Sequence, residues 1–294
     1  MKERKVNNMT EESVRIERKN SVKGIVYVVV SAIFYSLGGV LIKEVPWNPI
    51  AINGSRCLLA GLSMLMYMKM VGHKFVINRT VMFVGVCNFA MNLTFVIATK
   101  MTSAANAIVL QFTEPIFVII LMWIIFGKRP KREAVITCIV VFGGIMCFFM
   151  DKITTDGMIG NLLAIFSGIT YAVVFMTKSF KGGDFESSLV VAMCISVVAG
   201  IPSVMQETEF SLKILLCIIG LGVVQLTIGS IFLSKGLDFV SPVTASLTST
   251  IEPILNPILV AIFCGETIGP LSILGAALVI SACTCYNVLE AMKK

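Results

Sequence analysis

The sequence predicts an all-α polytopic membrane protein, with ten transmembrane helices arranged as two inverted five-helix repeats. Three observations carry that reading. Most of the 294-residue chain consists of apolar stretches, and crossing a bilayer takes about 20 such residues in a row. The pair Glu-Pro recurs near the middle of two of these stretches, as Glu114-Pro115 and Glu252-Pro253, 138 residues apart. The Lys and Arg residues crowd into alternate loops.

Composition excludes an ordinary soluble domain. The chain is 56% hydrophobic and 14% charged with mean hydropathy +0.91, whereas soluble chains carry roughly 25% charged residues. A soluble helical bundle would need polar outer faces, and these segments mostly lack them. Residues 1–23 hold seven Lys/Arg and no aromatic residue. They read as a solvated cytoplasmic tail near anionic lipid and not as a nucleic-acid arm, although the net charge is +7. The spans are then expected at 24–43, 49–68, 80–99, 103–126, 134–150, 158–178, 187–204, 212–233, 242–264 and 270–289. The first has no small-residue cleavage site after a short apolar core, so it is expected to be a span and not a removed signal peptide.

The positive-inside rule orients the helices. With the amino terminus inside, cytoplasmic segments hold 19 of the 24 Lys/Arg, including the Lys128/Arg129/Lys131/Arg132 cluster. Lys43, Lys100, Lys152 and Lys213 lie outside, and Arg56 lies within a span. Both termini are expected in the cytoplasm, the protein in the cytoplasmic membrane, and Trp47 at the interface as an aromatic anchor.

At the 138-residue offset Ser103 matches Ser241, Ala107 matches Ala245, Ile116 matches Ile254 and Gly127 matches Gly265. A slightly shorter offset aligns Ser31 and Tyr35 with Ser167 and Tyr171. The repeats are therefore expected at 24–150 and 158–289. Five spans is an odd number, so the second unit enters the membrane from the opposite face. That arrangement gives many carriers two exchangeable conformations around a midplane site. A channel would instead show a polar stripe or charge ring along a continuous pore.

Depth identifies the polar residues that matter. At 1.5 Å per residue, Glu114 lies about 17 Å into its span and Glu252 about 15 Å, near the midplane of a core about 30 Å thick. Pro115 withholds a donor from the Gln111 carbonyl, Pro253 from that of Ser249, and Pro257 from that of Pro253. These helices are expected to be locally interrupted. Either the glutamates and freed carbonyls face a shared cavity, or each glutamate bonds a neighbouring helix and fixes packing. Arg56, with Asn53 on the same face, either snorkels outward, pairs with a carboxylate, or receives an anionic group of cargo. Asn88 and Asn92 share one face that must look into the bundle, because unpaired amides are expensive in hydrocarbon. Tyr35 and Tyr171 are either cargo platforms or packing aromatics.

No catalytic machinery is expected. The chain has no HExxH, GxSxG, Walker loop or GxGxxG. The nine cysteines lie in spans without a CxxC pair or a histidine cluster and read as small hydrophobes. The single histidine, His73, reads as loop chemistry. No cofactor and no metal are expected.

The two five-helix units resemble the EamA-like branch of the drug/metabolite transporter superfamily. Thr113-Glu114-Pro115 through Gly127 and Ile251-Glu252-Pro253 through Gly265-Glu266 carry the resemblance, with the aromatic opening helices around Tyr35 and Tyr171. It implies a ten-helix bundle whose cavity comes from helices one, three, four, six, eight and nine. By position, Tyr35, Asn88, Asn92, Gln111, Glu114, Tyr171, Gln225 and Glu252 are its cavity candidates. One departure is Gly127-Lys128 where the second unit has Gly265-Glu266. The resemblance implies secondary transport, often export, of an amino acid or related small polar metabolite. The alternatives are a multidrug or organic-cation exporter and a channel-like pore. Expected partners are the small-molecule substrate, membrane lipid and coupled protons, with no nucleic acid.

Overall fold

The computed structural model describes residues 2–102, 104–150, 157–264 and 269–292. Fourteen α-helices run in this order: α1 (Lys2–Ser36), α2 (Gly38–Lys43), α3 (Pro49–Val71), α4 (Arg79–Met101), α5 (Ala104–Gln111), α6 (Glu114–Phe126), α7 (Arg132–Phe149), α8 (Met158–Phe175), α9 (Phe185–Val204), α10 (Leu212–Ile219), α11 (Gly229–Leu237), α12 (Pro242–Ser249), α13 (Glu252–Cys264) and α14 (Pro270–Met292). They make ten helical segments long and apolar enough to cross a membrane, at places matching the sequence expectation to within a few residues, except at the start of the first. That segment, Ile16–Ile42, belongs to a helix already running from Lys2. The reason is local: residues 2–23 are rich in Glu, Lys and Arg, which are strong helix formers.

Caps fix the entry points. Asn48, Asn78, Asp184 and Ser211 each accept a hydrogen bond from a backbone N–H of the following first turn. Gly72 and Gly127 end α3 and α6 at φ 71° and 65°, a left-handed conformation that glycine adopts without strain. Gly265 and Glu266, like Ser103 and Lys152–Asp156, lie outside the described residues.

Four spans are not single helices. The first breaks at Leu37, before the Gly38-Gly39 pair. The fourth breaks between α5 and α6, and the ninth between α12 and α13. Glu114-Pro115 and Glu252-Pro253 open the second segments, where a proline lacking its N–H is tolerated. Pro257 lies within α13. The eighth span contains a π-helical stretch, Gly220–Ile228, between α10 and α11.

The most extensive packing joins helices from opposite halves of the chain: α3 with α9, α4 with α8, α7 with α14, and α1 with α11. Two of these contacts are backbone against backbone. A Cβ on Gly54 would meet the Gly200 Cα at 2.8 Å, and one on Gly275 would meet the Gly144 carbonyl oxygen at 2.5 Å. Small residues permit such approach between membrane helices.

At the end of the bundle that carries the basic loops, polar contacts tie the halves together. Across the halves, His73 Nε2 lies 2.8 Å from Asp184 Oδ2 and Thr80 donates to the Lys181 carbonyl; within the second half, Lys178 contacts Asp238 Oδ1 and the Ser234 carbonyl, both at 2.6 Å. Glu186 accepts from the Ser234 hydroxyl. At the opposite end Glu44 pairs with Lys213. Trp47, expected as an interfacial anchor, is buried there instead: its Nε1 donates to the Glu209 carbonyl at 2.7 Å and its ring packs edge-on against Phe210. A loop-to-loop partner satisfies the indole N–H that the interface would otherwise serve.

Candidate functional site: a central polar cavity

A cavity of about 420 Å³ occupies the middle of the bundle. The first span contributes Tyr35, whose hydroxyl lies 2.8 Å from Ser230 Oγ on α11. Four residues earlier, Ser31 donates to the Gly229 carbonyl at 2.8 Å and pins α1 to α11. The sixth span repeats the arrangement: Tyr171 reaches the cavity, and four residues earlier Ser167 donates to the Met91 carbonyl of α4 at 2.9 Å. Tyr171 packs edge-on against Phe112, which also lines the wall. Gln111 lines the cavity and donates to Ser167 Oγ at 2.7 Å.

Asn88 and Asn92 both reach the cavity from α4, one turn apart. Asn92 Nδ2 donates to the Asn88 carbonyl and to Asn88 Oδ1, each at 3.0 Å, so each amide orients the other. From α3 comes Arg56, the only Lys or Arg lining the cavity among the described residues. Its Nε and Nη2 donate to Asn53 Oδ1 at 3.2 and 2.9 Å. Asn53 itself stands behind the wall. The guanidinium is thus held by a neutral partner, with a delocalised positive charge and further N–H groups toward the cavity.

Gln225 and Ser230 both line the cavity although they are five residues apart. On a regular α-helix at 3.6 residues per turn they would diverge by about 140°. The π-helical stretch, bonding i to i+5, turns them toward a common face. Thr227 Oγ1 helps close that stretch by donating to the Gly222 carbonyl five residues back. Gln225 Nε2 approaches the Tyr35 carbonyl at 3.4 Å, and its Oε1 is buried without a hydrogen-bond partner.

The two glutamates part company. Glu252 lines the cavity with Pro253, and its Oε2 has no hydrogen-bond partner. Glu114 is fully buried and is not among the lining residues. It stands behind the wall because α12 packs over it, with Ser246 Oγ donating to its Oε1 at 3.0 Å. Its second oxygen is also unpartnered, and Pro115 is buried beside it.

Asn256 escaped the sequence reading. It lines the cavity one helical turn after Glu252, facing Gly39, where a Cβ would collide with it. The i, i+4 spacing from a deep carboxylate was a usable signal. The apolar lining of Met91 and Phe95 had none.

His73, Asp184 and Glu186 form a compact group at the basic-loop end, with ligand-type atoms within 4.8 Å of one another. Each already has a protein partner: Asp184 for His73, Ser187 N–H for Asp184, and Ser234 for Glu186.

Comparison with known proteins places this geometry in context. An uncharacterized transporter of Archaeoglobus fulgidus is 23% identical over 257 residues, covering 86% of this chain and 92% of its own. The uncharacterized transporter YwfM of Bacillus subtilis is 27% identical over 276 residues, covering 87% and 92%. Human solute carrier family 35 member G1 is 25% identical over 273 residues, covering 82% and 72%. A crystal structure superposes with TM-score 0.80 over 92% of this chain and 98% of that one; at 12% identity it speaks for the fold. The sequence model of the EamA-like transporter family matches residues 22–150 and again 158–288, and the chain, a multi-pass membrane transporter, belongs to that family.

Proposed function

We propose that the protein is a secondary carrier for a neutral or zwitterionic amino acid, or a similarly small polar metabolite, and that it works as an exporter. One observation carries the substrate class. Among the described residues lining the cavity, a single guanidinium, Arg56, and a single carboxylate, Glu252, stand among neutral amides, hydroxyls and aromatic rings. Arg56 suits a carboxylate group, and Glu252 suits an ammonium group. The remaining polar groups suit a small body that presents both.

The mechanism is alternating access between inverted repeats, residues 24–150 and 158–289, behind a cytoplasmic tail of residues 1–23. The paired contacts support it. Ser31 and Ser167 are sequence equivalents, and each bonds a carbonyl of the other half, at Gly229 and Met91. The helix pairs α3 with α9 and α7 with α14 join like-placed spans of the two units. An apolar cluster containing Met68, Phe175, Met176 and Phe185 lies between the cavity and the basic loops. With those loops cytoplasmic, as the Lys/Arg bias directs, the cluster stands on the cytoplasmic side of the cavity.

Purified protein in liposomes tests the reading with a panel of radiolabelled solutes and dyes. Saturable flux and counterflow of zwitterions without ATP are expected. The aromatic lining of Tyr35, Tyr171 and Phe112 favours a second reading, a lipophilic organic cation held by Glu252 and cation–π contact. Competition by such cations alone, with amino acids inert, selects it. Channel-rate currents without counterflow exclude both. Glu252 is also the candidate for proton coupling, exchanging a proton for bound cargo.

A further inference from the structure

A second, smaller cavity of about 140 Å³ lies where the fourth span ends. Gly127 turns the chain out of α6, and Lys128, Arg129, Pro130 and Lys131 then run across the cavity mouth into α7. Lys131 is committed, its Nζ 2.8 and 2.9 Å from the two oxygens of the buried Glu290. Lys128 and Arg129 are exposed and have no carboxylate partner among the described residues. The first turn of α7 has no side-chain cap at Lys131 and carries one acidic residue, Glu133. The floor is of a different character: Ile119, Met122, Ala134 and Val243, with Tyr286 buried against them. On the same two helices, α6 and α7, the large apolar side chains of Trp123, Ile136 and Ile139 are exposed.

A pair of exposed cations, without a carboxylate partner among the described residues, over an apolar slot is the complement of an amphiphile with an anionic head. We propose that this pocket binds an anionic phospholipid, its phosphate against Lys128 and Arg129 and its first carbons on the Ile119–Val243 floor. Basic pockets between membrane helices bind such head groups. In sequence, the counterpart of Gly127-Lys128 in the second half is Gly265-Glu266, whose acidic residue would repel the same group. The pocket also spans the two halves, since α6 and α7 come from one and α12 and α14 from the other. A bound lipid therefore braces them against each other at this end.

Native mass spectrometry of the full-length, delipidated protein, titrated with phosphatidylglycerol or phosphatidylcholine, tests the proposal. The wild type should retain one phosphatidylglycerol in preference to phosphatidylcholine. Lys128→Gln/Arg129→Gln should weaken retention by about thirtyfold, at roughly fivefold for each cation near the lipid charge. Ala134→Phe, which fills the slot and keeps both charges, should weaken it as well. Lys74→Gln/Arg79→Gln, an equal loss of charge on another loop of the same face, should leave it unchanged. The proposal is overturned if the wild type retains no anionic lipid, if both lipids are held equally, or if the two charge-removing pairs behave alike. It is overturned too if millimolar inorganic phosphate displaces the lipid completely, which marks a free-anion site, or if Ala134→Phe folds and binds as the wild type does.

Discussion

The two Glu-Pro breaks share a sequence and differ in surroundings. In the second half, Glu252 opens α13 and lines the cavity, with one buried oxygen left unpartnered. In the first half, Glu114 opens α6 in the same way, yet Ser246 bonds it and α12 seals it from the cavity. The backbone device is therefore common to both, and the chemistry is set by what packs over it. A proline with no N–H permits a helix to restart at membrane depth. Whether the adjoining carboxylate lines the cavity or meets a serine depends on the neighbouring helix.

The largest predicted difference comes from neutralising each carboxylate without changing its shape. Glu252→Gln should reduce gradient-driven flux at least tenfold, because no carboxylate is left among the described residues lining the cavity to exchange a proton for cargo. It should keep counterflow and lose the response to an imposed pH gradient. Glu114→Gln should retain that response, because its partner is a protein hydroxyl. Equal responses to the gradient in the two variants would erase the distinction. Next in size is Arg56→Gln, which should raise the KM for zwitterions about tenfold while sparing cationic competitors, by loss of the guanidinium–carboxylate contact. If cations and zwitterions weaken together, Arg56 serves packing.

Ser246→Ala probes the sealed side. It removes the one hydroxyl bonded to Glu114, and stranding a buried polar group costs about 1–3 kcal/mol. A fall in melting temperature with little change in KM is expected, and a changed KM with unchanged melting would move Glu114 toward the substrate path. The smallest effect belongs to Tyr35→Phe. Losing the bond to Ser230 should cost about 0.5–1.5 kcal/mol in stability, with binding reduced severalfold at most.

Much of the fold was legible because lipid imposes a simple rule: apolar runs of sufficient length must be helices. The spans, the breaks at the two Glu-Pro pairs and the polar face of Asn88 and Asn92 all follow from it. The site was legible only in outline. Tyr35 and Tyr171 stand out by repeat position, and Gln111 and Gln225 follow from the family resemblance; the structure brings all four to one cavity with Arg56. The separation of Glu114 from Glu252 was invisible, since it arises from α12 packing against α6. The π-helical stretch was equally hidden, because Gly220–Ile228 reads as an ordinary apolar run. Trp47 misled for a related reason: its loop partners, Glu209 and Phe210, are more than 160 residues away.

The glycine crossings of α3 with α9 and of α7 with α14 bear on how the molecule is made. Each joins a helix synthesised early to one synthesised much later, so the first half enters the membrane with the faces of Gly54 and Gly144 still unfilled. Membrane helices insert independently and associate afterwards, so those faces are occupied by lipid until α9 and α14 arrive. Lipid and helix are equally apolar, which leaves close packing as the main advantage of the late partner. Close packing at the Gly54 and Gly144 faces is therefore completed only after the second half is in the membrane.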